Sequence, residues 1–238
     1  MQTGEFPRAA AVAARLDVVA HTGSTNADLL VAASQQSDAY PHLSVLLTDD
    51  QRAGRGRLDR TWTAPAGAAL AISVLVRVPG ISADQRGWVP LIAGAAMTLA
   101  IRGQFAPGAP DTSSGVALKW PNDVLIDGAK VCGILAQVLP GEPDAIVIGA
   151  GINTRMTPEQ LPVPTGTSLA IAGADVHPDR LVADYLRQLD RMLAAAASGE
   201  DFAGLLAEVR GLCATVGREV RVTLPDDRML DGRATGLD

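Results

Sequence analysis

The sequence predicts an α+β fold, and three observations support this prediction. Short apolar runs are typical of buried strands, and in residues 68–78 the β-branched side chains fall on one parity. The pair Asp127-Gly128 separates two such runs, which is the signature of a hairpin with a type I′ turn. A regular apolar stripe follows Pro178, as expected of a helix packed on a core. The predicted strands are 16–21, 43–47, 68–78, 116–119, 124–126, 129–138 and 145–148, and the predicted helices are 7–15, 27–33, 84–102, 178–193 and 201–212.

Length, composition and charge exclude several classes of protein. The 238 residues are 47% hydrophobic, enough for a large buried core, and the formal net charge is −6. A dedicated nucleic-acid binder is usually basic overall, so we expect no nucleic-acid partner. No apolar run is long enough for a membrane span. Cys132 and Cys213 lie far apart and form no metal-binding pair, which predicts reduced thiols in a cytoplasmic protein.

Residues 51–62, the arginine-glycine segment, carry four arginines separated by glycines. Glycine lets the backbone turn tightly and approach a ligand closely. The planar guanidinium group binds phosphate or carboxylate through two parallel hydrogen bonds. The segment therefore predicts an anion site, and an arginine-rich surface loop or nucleic-acid arm is the alternative.

Three further segments carry polar groups at the ends of predicted elements. Residues 24–26 precede a helix and are predicted to cap it, to bind a polar ligand head, or both. Residues 119–123 contain a turn at Pro121 that presents the side chains of Asn122 and Asp123. Lys130 follows the predicted hairpin turn at 127–128. In residues 149–153 two glycines follow a strand. We expect them to let the backbone lie against a flat ligand, with the Asn153 amide free to pair with a polar group.

Missing motifs narrow the reaction class. The Gly149-x-Gly151 pair lacks the third glycine and the following helix of a dinucleotide site. The chain has no GxxxxGK[ST] loop and no GxSxG elbow, and its three histidines show no metal-binding spacing. A P-loop ATPase, a serine hydrolase and a zinc hydrolase are therefore not predicted.

Taken together, these segments resemble the biotin protein ligase family. The matching segments occur in the family's order and at its spacing. They are Ser24-Thr25-Asn26; Gln51 with Gly54-Arg55-Gly56-Arg57, Arg60 and Trp62; Lys119-Trp120-Pro121-Asn122-Asp123; Lys130 with Gly133-Ile134-Leu135; and Gly149-Ala150-Gly151-Ile152-Asn153.

The resemblance implies a fold and a reaction. The fold is a central mixed β-sheet flanked by helices, followed by a small C-terminal β-barrel that is incomplete in this chain. The implied catalytic domain spans residues 1–214, and the start of the barrel spans residues 215–238. Biotin and ATP give biotinyl-5′-adenylate, and the biotinyl group then passes to a lysine of the biotin carboxyl carrier domain of an acyl-CoA carboxylase. Mg²⁺ accompanies ATP, and no protein residue is predicted to bind a metal. No winged helix precedes residue 20, so the implied type is monofunctional.

The resemblance also implies roles for individual residues. Arg55 and Arg57 lie over the adenylate phosphate, Arg60 lies toward the ATP phosphates, and Lys130 reaches the biotin carboxylate. Asp123 is our hypothetical base or orienting group for the incoming carrier lysine, whose ammonium must lose a proton before it attacks. The implied catalytic residues are Lys130, Arg55, Arg57 and Asp123. The implied biotin-binding residues are Ser24, Thr25, Asn26, Gln51, Gly54, Arg55, Gly56, Arg57, Lys130, Gly133, Gly149 and Ile152, and the implied ATP-binding residues are Arg57, Arg60, Trp62, Asn122 and Asn153.

Two alternatives remain at this stage. A lipoate ligase shares the fold and the acyl-adenylate chemistry, and a non-catalytic module could hold biotin or its adenylate. Residues 145–148 are also a candidate edge strand, able to pair with a second subunit or with the carrier domain.

Overall fold

The computed structural model describes residues 1–58, 60–105, 115–199, 202–224, 226 and 228–237. The helices are α1 (Pro7–Ala10), α2 (Thr25–Gln35), α3 (Val89–Arg102), α4 (Pro178–Ser198) and α5 (Phe202–Leu212), with 3₁₀ turns at Thr3–Glu5, Ser37–Ala39, Ala83–Trp88 and Pro158–Gln160. The strands are β1 (Arg15–Val18), β2 (Ser44–Thr48), β3 (Gly54–Arg55), β4 (Thr61–Trp62), β5 (Ala69–Arg77), β6 (Val116–Lys119), β7 (Asp123–Ile126), β8 (Ala129–Leu139), β9 (Glu142–Asn153), β10 (Glu219–Thr223) and β11 (Met229–Arg233).

Seven of these strands form one mixed sheet in the order β1-β2-β5-β9-β8-β7-β6. β1 and β2 run parallel, and the remaining neighbours are antiparallel. The predicted central mixed sheet is therefore confirmed. The prediction that residues 145–148 form an edge strand is wrong, because they lie within β9, which is hydrogen-bonded to β5 on one side and β8 on the other.

The sheet is covered on both faces. On one face Ile72, Val74 and Val76 of β5 join the main core with α3 and α4, as their shared parity predicted. On the other face Leu75 packs with Leu29 of α2. Because side chains alternate along a strand, the even positions of β5 face the main core, and Ser73 and Leu75 lie on the opposite face against α2.

Two predicted helices are shorter in the structure. The helix predicted for residues 7–15 is α1, which ends at Ala10. The helix predicted for residues 84–102 begins as the 3₁₀ turn Ala83–Trp88, and α3 starts only at Val89, with Pro90 in its first turn. Proline is tolerated there because the first N–H groups of a helix have no partner within it. Residue 201 and most of the predicted loop 105–115 lie outside the described residues. No helix in the described part of the chain is long and apolar enough to cross a membrane.

Two hairpins position the site. Asp127 and Gly128 have φ angles of 49° and 82°, both in the left-handed region that a type I′ turn requires, so the predicted hairpin between β7 and β8 is confirmed. At the C-terminal end β10 and β11 form a separate antiparallel pair. Within the residues described, this unit is an open two-stranded sheet and not a closed barrel, as predicted.

Candidate functional site

A cleft of about 1710 Å³ runs from the start of α2 to the C-terminal hairpin. Most of the predicted site residues line it. They are Ser24, Thr25, Asn26, Gln51, Arg55, Gly56, Arg57, Arg60, Trp62, Asn122, Asp123, Lys130, Gly133, Gly149 and Asn153.

Two predicted biotin-binding residues do not line the cleft. Ile152 is fully buried in the main core, because the alternation of β9 turns its side chain away from Gly151 and Asn153. It is therefore not placed to contact a ligand in the cleft, against the prediction. Gly54 is buried beneath the neighbouring side chains of Gln51 and Trp62.

The start of α2 forms one end of the cleft. Ser24 is the N-cap, and its side chain accepts a hydrogen bond from the amide of Ala27 at 3.4 Å. The Thr25 amide donates to Gln51 Oε1 at 2.8 Å, and the Thr25 hydroxyl lies 3.0 Å from the same oxygen. The N-cap prediction is thus confirmed, and Gln51 satisfies one of the amides that a helix start leaves without a partner.

Behind Thr25 lies a group of polar side chains that the sequence analysis partly missed. Ser73 is fully buried, and its hydroxyl lies 2.8 Å from Thr25 Oγ1 and 2.6 Å from Asn26 Oδ1. The Asn26 amide donates to Gln137 Oε1 at 2.9 Å and to the Leu135 carbonyl at 3.2 Å. A serine within an otherwise apolar strand was the available signal for Ser73.

The glycines of β9 make room for protein side chains. A Cβ atom at Gly149 would lie 2.4 Å from Asn26 Oδ1, and one at Gly151 would lie 2.6 Å from Trp62 Cε2. We expected the bare backbone to face a flat ligand, whereas in this structure the Asn26 amide and the Trp62 indole lie against it. Trp62 in turn forms part of the cleft wall.

Lys130 and Asp123 form an ion pair on the floor of the cleft, with Lys130 Nζ 2.5 Å from Asp123 Oδ1. Their side chains are 42% and 20% exposed. The lysine backbone is held by residues 165–167, since its amide donates to the Thr165 carbonyl and its carbonyl accepts from the Thr167 amide. A Cβ atom at Gly133 would lie 3.2 Å from Lys130 Nζ, so glycine leaves space beside the ammonium group.

Both asparagines assigned to the nucleotide already donate within the protein. Asn122 Nδ2 donates to the Ile134 carbonyl at 2.7 Å, and Asn153 Nδ2 donates to the Thr167 carbonyl at 2.9 Å. The expectation that the Asn153 amide is free is therefore wrong for its nitrogen. Its partner lies in a loop that sequence patterns did not connect to β9.

The arginine-glycine segment folds back on itself through β3 and β4. The Gly56 amide donates to the Arg60 carbonyl at 2.6 Å, and this hydrogen bond closes the turn between the two residues. Arg55, Arg57 and Arg60 are exposed, and none has an ion-pair or hydrogen-bond partner for its side chain among the residues described. Arg52 differs, since it forms an ion pair with Asp50 at 2.8 Å. Three uncompensated guanidinium groups therefore border the cleft, ready for anionic groups.

Cys132 lies between these groups in sequence but does not take part in their chemistry. Burial raises the pKa of its thiol to about 12. A thiol in this state is not a nucleophile at neutral pH. Its side chain faces the core, where it packs in the main hydrophobic cluster.

The C-terminal hairpin contributes the far wall of the cleft. The Trp120 amide donates to Thr215 Oγ1 at 3.0 Å, and the Ala214 amide donates to the Leu118 carbonyl at 2.8 Å. These contacts join the segment that precedes β10 to the strand that leads into Asn122 and Asp123. No local sequence pattern predicts these contacts.

The described residues contain no group of three or more histidine, cysteine, aspartate or glutamate side chains that could hold a metal ion. Asp123 places a carboxylate in the cleft. Mg²⁺ usually keeps several waters and takes only one or two carboxylates from the protein.

Comparisons with known proteins show what this chain is similar to. The model of the biotin/lipoate A/B protein ligase family matches residues 18–153. A biotin-[acetyl-CoA-carboxylase] ligase from Mycobacterium tuberculosis is 39% identical over 226 residues, which cover 94% of this chain and 80% of that protein. A biotin protein ligase from Aquifex aeolicus, solved with biotin and ATP, has a TM-score of 0.75 at 24% identity and covers 94% of this chain and 88% of its own. A biotin protein ligase from Leishmania major, solved with biotinyl-5-AMP, has a TM-score of 0.66 at 21% identity and covers 94% of this chain and 97% of its own.

Proposed function

Because the chain belongs to the biotin/lipoate A/B protein ligase family, we propose that it is an ATP-dependent biotin protein ligase. It joins biotin to ATP as biotinyl-5′-adenylate with release of pyrophosphate. It then transfers the biotinyl group to a lysine of the biotin carboxyl carrier domain of an acyl-CoA carboxylase. The observation that carries the proposal is that Lys130, the free arginines and the polar start of α2 all line one cleft.

The first step brings two anions together, and the cleft carries the charges that this step needs. The carboxylate of biotin must attack the α-phosphate of ATP, so positive groups have to offset the repulsion and the charge that moves to pyrophosphate. We assign this task to Lys130, Arg55 and Arg57, with Arg60 toward the outer phosphates. A module that only retains biotin would not need these cations.

The polar and aromatic groups are assigned to the two ends of the adenylate. Ser24, Thr25 and Gln51 supply donors and acceptors for the ureido ring of biotin, with the backbone near Gly133. Trp62 offers an aromatic face toward the nucleotide. We place the nucleotide near Asn122 and Asn153, whose side-chain nitrogens already donate within the protein, so their oxygens are the groups left for it.

Mg²⁺ would enter with the triphosphate and neutralise part of its charge. Asp123 is the carboxylate nearest to the reacting groups, and it is held by Lys130. We propose that Asp123 also accepts the proton of the carrier lysine in the second step. The two free, buried thiols are those expected of a protein in the reducing cytoplasm.

We further propose the domain division at residue 214, with the catalytic unit before it and the small β unit after it. The bounds of α5 and β10, Phe202–Leu212 and Glu219–Thr223, are compatible with a boundary between them.

The direct test supplies the protein with Mg²⁺, ATP and either biotin or lipoate, and follows the acyl-adenylate by mass spectrometry. Biotinyl-adenylate, followed by a mass increase on one lysine of an added carrier domain, is the expected result. Lipoyl-adenylate instead would assign the chain to the lipoate branch of the family. Binding of biotin without formation of any adenylate would indicate that the chain is a non-catalytic biotin-binding module.

A matched pair of variants tests the role of the arginine-glycine segment. Arg57→Gln should slow adenylate formation, because the Arg57 side chain has no partner among the described residues and is left to bind a substrate anion. Arg52→Gln should leave it near the wild-type rate, because Arg52 is paired with Asp50. Equal losses in both variants would contradict the assignment of Arg57.

A further inference from the structure

A continuous chain of side-chain contacts lies behind the α2 end of the cleft. It runs from Gln51 through Thr25, Ser73 and Asn26 to Gln137, and we call these five residues the buried polar chain. We propose that Ser73 and Asn26 are positioning residues that set Thr25 and Gln51 for recognition of the ureido ring. This inference rests on the proposed function and concerns how the same site selects its substrate.

The hydrogen-bonding capacity of Asn26 argues that it is a support and not a ligand contact. Its nitrogen carries two donors, and both are used, one by Gln137 Oε1 and one by the Leu135 carbonyl. Its oxygen accepts from Ser73 at 2.6 Å. The side chain is also held against the bare backbone of Gly149, where a Cβ atom would lie 2.4 Å from its oxygen.

Ser73 connects this fixed amide to the groups that face the cleft. It is fully buried, so its hydroxyl has no water to replace a lost partner. Its single hydroxyl hydrogen goes to Asn26 Oδ1, so the Thr25 hydroxyl donates to Ser73, and this hydrogen bond fixes the rotamer of Thr25. The Thr25 amide donates to Gln51 Oε1, and the Thr25 hydroxyl oxygen lies 3.0 Å from the same oxygen.

The orientation of Gln51 follows from these contacts. Because its oxygen is used by Thr25, its Nε2 group remains to donate, on the side of Gly54. A donor at this end of the cleft favours a ring that carries a hydrogen-bond acceptor. The urea of biotin supplies a carbonyl oxygen, whereas the dithiolane of lipoate has no oxygen or nitrogen. The buried polar chain thus favours a cyclic urea over other acyl substrates of the same length.

Ser73→Ala is the main test, with the steady-state kinetics of adenylate formation as the measurement. We expect KM for biotin to rise about tenfold, the effect of one lost buried hydrogen bond, while kcat and KM for ATP stay close to wild type. Gly149→Ala should also raise KM for biotin, because the added Cβ atom would displace the Asn26 side chain. The preference for biotin over 2-iminobiotin, in which a donor replaces the urea oxygen, should fall in both variants.

Thr98→Val is the matched control. Thr98 is also fully buried, and its hydroxyl donates to the Gly94 carbonyl at 2.8 Å within α3, away from the cleft. It should lose stability, as measured by thermal unfolding, without a change in KM for biotin. A Ser73→Ala variant with unchanged KM for biotin, or with KM for biotin and ATP raised together, would overturn the inference. Failure of the wild-type protein to form biotinyl-adenylate would instead overturn the proposed function.

Discussion

Replacing Asp123 by asparagine should separate the two steps of the proposed reaction. Lys130 Nζ lies 2.5 Å from Asp123 Oδ1, and the two side chains are 42% and 20% exposed. An ion pair with this exposure contributes roughly 0–1 kcal/mol, which corresponds to a loss of at most about fivefold in adenylate formation. The backbone of Lys130 stays in place, because its hydrogen bonds to residues 165–167 do not depend on the ion pair.

The second step should be affected much more strongly. The carrier lysine arrives as an ammonium and must lose a proton before it attacks the adenylate, and general bases contribute about 10²–10⁴-fold to such steps. Asparagine has nearly the same shape as aspartate but cannot accept the proton. We therefore expect the transfer rate of Asp123→Asn to fall by at least about 100-fold.

The assay measures the steps separately. Adenylate formation is followed by rapid quench and mass spectrometry, and transfer is followed by adding a carrier domain to preformed biotinyl-adenylate. Asp184→Asn is the control, because Asp184 is also a partly exposed carboxylate in an ion pair, with Arg187 at 2.8 Å, but it lies on α4. Equal losses in both steps of Asp123→Asn would refute a role in proton transfer and would indicate that Asp123 acts on ATP, on its Mg²⁺ or through Lys130.

Three further predictions follow from the same structure. Gly151→Ala should raise KM for ATP in the adenylation assay, because a Cβ atom would lie 2.6 Å from Trp62 Cε2 and displace the indole. Cys132 should resist iodoacetamide in the folded protein at pH 8, since burial raises the pKa of its thiol to about 12, and should react in denaturant. The Arg77 guanidinium lowers the pKa of the Glu142 carboxyl below its ordinary value of 4.5. The ion pair therefore stabilises the fold fully above pH 4.5. This stabilisation is lost as the pH falls through the lowered pKa of Glu142. Denaturant unfolding of Arg77→Met should accordingly show a weaker dependence on pH below 4.5.

Features set by local chemistry were predictable from the sequence. The parity of Ile72, Val74 and Val76 predicted the core face of β5, and Asp127-Gly128 predicted the turn that sets Lys130 at the start of β8. In each case the cause lies within a few residues: side-chain alternation in a strand and positive φ angles in a turn. The segments that line the cleft also carry local signals, such as the glycines between the arginines, and the roles of their residues are implied by the family resemblance.

Features that depend on the order of strands in the sheet were not predictable. Ser73 and Asn26 are 47 residues apart, and Asn26 and Gln137 are 111 residues apart. Their contact requires that β8, β9 and β5 lie side by side beneath α2, which no local pattern specifies. The same cause explains the wrong edge-strand prediction for residues 145–148, since apolar composition is shared by central and edge strands.

The cleft combines a firmly held side with a weakly held one, and the proposed chemistry needs both. The backbone of Lys130 is held by hydrogen bonds to residues 165–167, and Thr25 is held by the buried polar chain. The arginine-glycine segment is joined by a two-residue ladder between β3 and β4, and Arg55, Arg57 and Arg60 have no carboxylate partner within the part of the chain that the structure describes. An anion that binds these guanidinium groups would therefore stabilise a segment that the fold itself holds through few contacts.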